Sequence, residues 1–247
     1  MLAFRMGEKE PRKYLFIALV GVLVFVSLAF IFMPQKKSEA WTQSAESKKA
    51  TTTKVATIPL VAFIGDSFCD GTGASTKLMR WTTLVSQELA WFEKNSCTGS
   101  AGYISKGGGG RDYRLISDEI FASLKPAVVV ISGGKNDLGF MTEDGSEISD
   151  ASCELFSGIK KAAPKAQIIV ISPFWDTTKV PAIIGRESSA IKDCAVKYGA
   201  KFLSGAHRWL EGKEKSFDSN VGAPNDEGQA LIAEKFVAWY KASGLKA

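Results

Sequence analysis

Two polar clusters sit directly behind apolar runs in this chain, and both carry residues suited to acyl chemistry. The first is Gly65-Asp66-Ser67, behind Val61-Ala62-Phe63-Ile64. The second is Gly133-Gly134-Lys135-Asn136-Asp137, behind the run from Ala127 to Ser132. A serine hydroxyl becomes a nucleophile when a neighbouring base takes its proton. A side-chain amide can donate hydrogen bonds to the oxyanion that forms when such a serine attacks a carbonyl, and backbone N–H groups can supply the rest of the hole. Ser67 is therefore the candidate nucleophile and Asn136 a candidate oxyanion donor. A base is harder to find, because the chain holds a single histidine, His207.

The elements that must position these residues can be read from the apolar pattern. An apolar run of five or six residues bounded by turn residues reads as a buried parallel strand. A polar residue just past such a strand lies at the carboxyl edge of the sheet, where open α/β folds keep their sites. Strands are expected at residues 60–64, 91–94, 127–132, 168–172 and 201–203. Helices are expected at 80–89, 115–124, 151–163, 182–198 and 226–242. Strands alternating with helices imply a parallel sheet with right-handed crossovers. The expected architecture is α/β: a flavodoxin-like three-layer α/β/α sandwich on a five-stranded parallel sheet. His207 would then follow the fifth strand, on the same edge as Ser67.

Ahead of this domain the composition changes. Residues 1–14 are polar and basic, and 15–33 are almost wholly apolar, interrupted only by Gly21 and Ser27. At about 1.5 Å per residue that run spans roughly 28 Å, close to a bilayer core. It has no polar face and exceeds the roughly 7–15 apolar residues of a cleaved signal peptide. Ser38-Glu39-Ala40 offers a poor cleavage site, so an uncleaved transmembrane helix or signal anchor is expected. Residues 34–57 are rich in Ser, Thr, Lys and Ala and read as a disordered tether.

The 247 residues allow one full-sized domain, 58–247, plus this appendage. The net charge is +5 with scattered lysines, so no nucleic-acid partner is expected. Four cysteines, Cys69, Cys97, Cys153 and Cys194, allow three disulfide connectivities or four buried thiols. Cys69 and Cys97 both lie past strand ends at the expected active edge and could be neighbours. Cysteine spacing and a single histidine give no zinc pattern, and neither metal nor cofactor is expected. The loop Gly107 to Gly110 reads as a connector, since no Lys-Ser or Lys-Thr leads from it into a helix. Of the tryptophans, Trp175 alone, just past the fourth strand, is expected to touch a ligand; Trp81, Trp91 and Trp209 read as packing residues.

Together the blocks resemble the SGNH (GDSL-type) hydrolases, in a bacterial, actinobacterial-like branch. Gly65-Asp66-Ser67 matches the nucleophile block and Gly134-Lys135-Asn136-Asp137 the Gly-x-Asn-Asp block. Gly71-Thr72-Gly73-Ala74-Ser75, Arg80-Trp81, Gly102-Tyr103 and Pro173-Phe174-Trp175 also match, and the resemblance covers roughly residues 58 to 243. It implies the same fold, a serine esterase activity, and a glycine N–H in the oxyanion hole. Within Cys97-Thr98-Gly99-Ser100-Ala101-Gly102 that glycine is taken as Gly99, with Ser100 as rival. The family's Asp-x-x-His block departs from the pattern. Pro224-Asn225-Asp226-Glu227-Gly228 matches the residues just past the histidine, so the histidine's place falls on Ala223 and the aspartate's on Asn220. Neither can act as a base. His207 and Asp218 are the residues at hand as stand-ins.

The resemblance implies a surface or secreted enzyme, which places residues 1–14 in the cytoplasm and the domain outside the cell membrane. The expected partner is an acyl ester or glycan of the cell envelope, attacked at its O-acyl groups. The alternative is a catalytically inactive relative that binds an acylated or glycan ligand in the same cleft. A nucleotide or flavin site is disfavoured, because the first loop, Asp66-Ser67-Phe68-Cys69-Asp70, is no phosphate-binding loop.

Overall fold

Five short strands, the central ones apolar, build the sheet of the computed structural model, which describes residues 57–247. They are β1 (Leu60–Gly65), β2 (Phe92–Asn95), β3 (Val128–Ser132), β4 (Gln167–Ile171) and β5 (Lys201–Leu203), in the order β2-β1-β3-β4-β5. Every pairing is parallel, with Gly65 opposite Ser132 and Ser132 opposite Ile171. The register aligns the carboxyl ends of β1, β3 and β4, so the segments leaving those strands emerge at one edge. β3 is the central strand and all five of its residues are buried. That explains a run of Val, Val, Val, Ile with no polar alternation.

Among the described residues six α-helices accompany the sheet: α1 (Ser67–Asp70), α2 (Trp81–Glu88), α3 (Tyr113–Ser123), α4 (Ser146–Ala162), α5 (Ala182–Lys197) and α6 (Asp226–Ala242). Successive strand residues point to opposite faces, and two cores result. Phe63, Val128 and Val130 pack with Trp81 of α2 and Phe236 of α6. Ile64, Val129 and Ile131 pack with Tyr113 of α3, Phe156 of α4 and Ile191 of α5. Burying each such side chain stabilises the fold by roughly 1.5–3 kcal/mol. This is the three-layer α/β/α arrangement expected from the alternation of strands and helices.

Two helices begin earlier than their apolar pattern suggests. α3 starts at Tyr113 because the Asp112 carboxylate accepts the Leu115 N–H (2.8 Å) and caps it. α4 starts at Ser146, five residues ahead of the expected Ala151, and buries Ile148 in a turn whose other residues are Ser, Glu and Asp. Further elements were not expected: the four-residue α1, and an antiparallel hairpin of β6 (Phe217–Asp218) and β7 (Ala223–Pro224). Both are too short to show a period.

The four cysteines form two disulfides. Cys69–Cys97 joins α1 to the segment after β2, and Cys153–Cys194 joins α4 to α5. The expected anchor at 15–33 and nearly all of the tether at 34–57 lie outside the described residues. Among the described residues no helix is long and apolar enough to cross a membrane.

Candidate active site

The Gly-Asp-Ser turn is built by its aspartate. Asp66 is buried, and its Oδ1 accepts the Phe68 N–H (3.0 Å), which caps α1 and makes Ser67 the first helical residue. Phe68 and Cys69 anchor the other side of that single helical turn in the core. Ser67 is left half-buried at the carboxyl edge of the sheet. The Asp66 carboxylate itself lies close to Gly133, where a side chain would meet its Oδ2 at 2.9 Å.

The segment after β2 is fastened to the same place. The Thr98 N–H donates to the Gly65 carbonyl (2.9 Å), and Cys97 is bridged to Cys69. Gly99 comes directly after. Its N–H meets no protein acceptor among the described residues, and a side chain there would meet nothing within 4 Å. Gly99 thus presents an unpaired donor beside an open space. Ser100 is exposed with φ +63°, and its N–H is likewise unpaired among the described residues.

Asn136 lies on a 3-10 turn, Lys135–Phe140, immediately past β3. Its Nδ2 donates to the Ala101 carbonyl (2.9 Å), which holds the side chain against the Gly99 segment. An amide NH₂ carries a second hydrogen, so one donor remains. Asp137, the next residue, is fully buried and accepts the N–H groups of Tyr103 (2.7 Å), Ile104 (3.0 Å) and Ser105 (2.7 Å). That carboxylate gathers the 103–105 backbone into one nest. The structure therefore brings the Ser67, Gly99 and Asn136 segments to one edge, through the Thr98 N–H on the Gly65 carbonyl and the Asn136 amide on the Ala101 carbonyl.

Burial dominates the electrostatics beneath this edge. Desolvation pushes Asp66 up to about 6, although the Phe68 N–H, Lys135 and the Cys69 N–H pull the other way. Burial also raises Asp137, against its three backbone hydrogen bonds. A third carboxyl, Glu187 of α5, is buried behind Gly134. Reading the sequence missed it, because one glutamate in an amphipathic helix looks like part of a solvated face.

The base is absent where the family pattern would put it. Ala223 in β7 is fully buried. It lies against the loop beyond α1: a side chain on Gly73 (φ +88°) would meet the Ala223 carbonyl at 3.2 Å and the Pro224 carbonyl at 2.6 Å. The position is thus packed beside the nucleophile's loop, but it carries a methyl group. Asn220 is exposed on the hairpin and donates its N–H to Asp218 Oδ1 (2.9 Å). Asp218 is occupied in closing that turn.

His207 sits on a 3-10 turn (Ala206–Arg208) past β5. Burial, and then Arg208, hold its pKa below the ordinary value, with Glu211 opposing; the imidazole is neutral at pH 7 and can accept a proton. Its Nδ1 is buried without a partner among the described residues. β5 lies three strands from β1, about 14 Å at the usual strand spacing, and no hydrogen bond joins His207 to the nucleophile turn.

Trp175 lies past β4 and is half-buried, its Nε1 donating to Thr178 Oγ1 (3.0 Å). Lys135 Nζ lies 5.0 Å from the Trp175 ring, 5.6 Å from the Phe68 ring and 3.9 Å from Asp176. Trp175 therefore shares the edge with Ser67 and Asn136. Trp81 and Trp91 are core residues and Trp209 packs on the same core.

A serine past the first strand and an asparagine past the third, on a sheet of order 2-1-3-4-5, define an SGNH-type α/β hydrolase architecture. Comparison with known proteins agrees. The model of the GDSL-like lipase/acylhydrolase family matches residues 63–231, more than half of the chain, and the chain belongs to that family. It is 29% identical over 184 residues to a GDSL lipase of Mycobacterium tuberculosis, a match covering 71% of this chain and 78% of the relative.

Among solved structures it is similar to a psychrotrophic esterase from Pseudoalteromonas sp. (TM-score 0.60, 14% identity, 75% of this chain and 98% of the other). It is also similar to a family two carbohydrate esterase from Clostridium thermocellum bound to cellohexaose. There the TM-score is 0.58 and the identity 18%, over 75% of this chain and 64% of the other. At these identities the structural likeness speaks for the fold.

Proposed function

We propose that this protein is a membrane-anchored, extracytoplasmic member of the family whose cleft receives an O-acyl group of a cell-envelope glycan or lipid. Ser67 is the nucleophile, and the Asn136 amide and the Gly99 N–H receive the oxyanion. The observation that supports this reading is that the Ser67 turn, the Asn136 turn and the Gly99 segment leave the same edge of the sheet, with the Gly99 N–H unpaired among the described residues. The apolar run at 15–33 supports the anchor. Two disulfides support an oxidising compartment, since such bridges are rarely kept in the cytosol.

Turnover is weak in this reading. Loss of the histidine of a serine–histidine pair costs on the order of a millionfold in a well-studied hydrolase, while oxyanion donors and binding alone retain roughly 10³–10⁴ over water. The buried Ala223 and the exposed Asn220 favour a second reading, in which the cleft binds an acylated or glycan ligand without cleaving it.

A fluorophosphonate probe and p-nitrophenyl acetate separate the two. Labelling at Ser67, and hydrolysis that vanishes in Ser67→Ala, are expected of the hydrolase. If His207→Ala also abolishes both, His207 is its base. A parent that never labels, beside an Asn220→Asp/Ala223→His variant that does, would establish the binding protein instead.

A further inference from the structure

Glu187 is a buried group for which acyl transfer at Ser67 has no use. It lies in the second turn of α5, fully buried, with neither carboxyl oxygen hydrogen-bonded among the described residues. Its Oε1 stands where a side chain on Gly134 would come within 2.6 Å. Gly134, at φ +129°, is the residue from which the Lys135–Phe140 turn departs. The Glu187 carboxyl thus packs against the backbone hinge of the turn that carries Asn136.

The groups facing it are acidic or neutral. They are Asp137 on that same turn, Asp66 at the end of β1, Tyr103 in the loop after β2 and Tyr113 on α3. Lys135 points elsewhere, to Asp176 and the Phe68 and Trp175 rings. Burial first, then Asp137 and Asp66, push the Glu187 carboxyl up to about 8. It is neutral at pH 7 and ionises just above it.

We propose that Glu187 is a positioning residue: its neutral carboxyl, packed behind Gly134, lets the 135–140 turn hold the Asn136 amide toward Ser67. Ionisation places a negative charge beside the buried Asp66 and Asp137 carboxyls, and the desolvated carboxylate then displaces the turn in search of water or N–H donors. The turn yields rather than the helix. α5 is bridged to α4 through Cys153–Cys194, whereas five of the six residues of the turn are half-buried or exposed. The inference rests on the reading of Asn136 as an oxyanion donor.

The test uses the full-length chain in detergent micelles, with ¹⁵N on asparagine side-chain amides and ¹³C on glutamate carboxyls. Asn136→Ser and Glu187→Gln assign the two signals by their disappearance. The Glu187 carbon is expected to titrate near pH 8, with the Asn136 amide moving at the same midpoint. In Glu187→Gln the Asn136 amide keeps one position from pH 7.5 to 9.5, a range that lies above the Asp66 transition near 6. An Asn136 signal that does not move in the parent overturns the proposal, as does one that still moves in Glu187→Gln or a Glu187 titration near the ordinary carboxylate range.

Fluorophosphonate labelling of the same samples keeps the two readings apart. Total absence of labelling counts against the hydrolase, while the Asn136 titration still decides the role of Glu187. Where labelling occurs, its rate in Glu187→Gln relative to the parent rises about tenfold by pH 9, one pH unit past the midpoint. A flat ratio overturns the proposal.

Discussion

Carboxyls behind the two turns, more than the candidate catalytic side chains, hold this site in place. Asp66 caps the helix that presents Ser67, Asp137 gathers three N–H groups under Asn136, and Glu187 backs the hinge at Gly134. This arrangement has a consequence for stability. Glu187 rises from 4.5 unfolded to about 8 folded, and Asp66 from 3.8 to about 6. Between those values the unfolded chain binds fewer protons than the native one, so stability falls as pH rises. The Glu187 contribution is fully present below about pH 4.5 and lost through pH 8. Urea unfolding at pH 5.5 and 8.5 is expected to differ by a few kcal/mol in favour of pH 5.5, with most of the difference gone in Glu187→Gln. Equal stability of the parent at both pH values would mean that Glu187 titrates normally.

Between elements, one buried glutamine does the joining. Gln229 on α6 accepts the Trp81 N–H of α2 at Oε1 (2.9 Å), and its Nε2 donates to the carbonyls of Phe68 (3.3 Å) and Pro224 (3.4 Å). It therefore locks the start of α2, the nucleophile turn and the β7 strand to one helix. Gln229→Ala leaves those buried groups without partners, at roughly 1–3 kcal/mol for each one that water cannot reach. A total loss of about 2–4 kcal/mol in denaturant unfolding is expected, with weaker ligand binding because α1 loosens. Gln229→Glu should be nearly as damaging, since a carboxylate cannot donate to the two carbonyls. A change below about 0.5 kcal/mol in both variants would deny the residue this role. Helical periodicity on the sequence makes α6 legible through Leu231, Ile232 and Phe236, but it treats Gln229 as a residue of the polar face.

Across the whole molecule, the described chain begins at the amino-end edge of β1, while Ser67 lies at the opposite edge of the sheet. The two disulfides span 28 and 41 residues. Chain-entropy reasoning gives each about 3–4 kcal/mol. The Cys69–Cys97 bridge also ties the nucleophile helix to the Gly99 segment. Cys69→Ala/Cys97→Ala is therefore expected to lower the thermal midpoint and Ser67 reactivity together. Cys153→Ala/Cys194→Ala should lower the midpoint and leave Ser67 chemistry nearer the parent. Thermal melts beside probe labelling check this, and identical reactivity in both pairs would remove the first bridge from the site.

The sheet was legible from the amino acids alone, because apolar runs ending in Gly-Asp-Ser and Gly-Gly-Lys-Asn-Asp leave little else for those residues to be. So was the lack of a histidine at Ala223, since the one histidine of the sequence is His207. Three things emerged only once the chain was folded: which cysteines meet, that Asn136 leans on the Ala101 carbonyl, and that Glu187 and Gln229 face inward. Those facts depend on how helices are rotated against a sheet, and that rotation is chosen by the packing of many apolar side chains at once. No pattern local to Glu187 or Gln229 records its outcome.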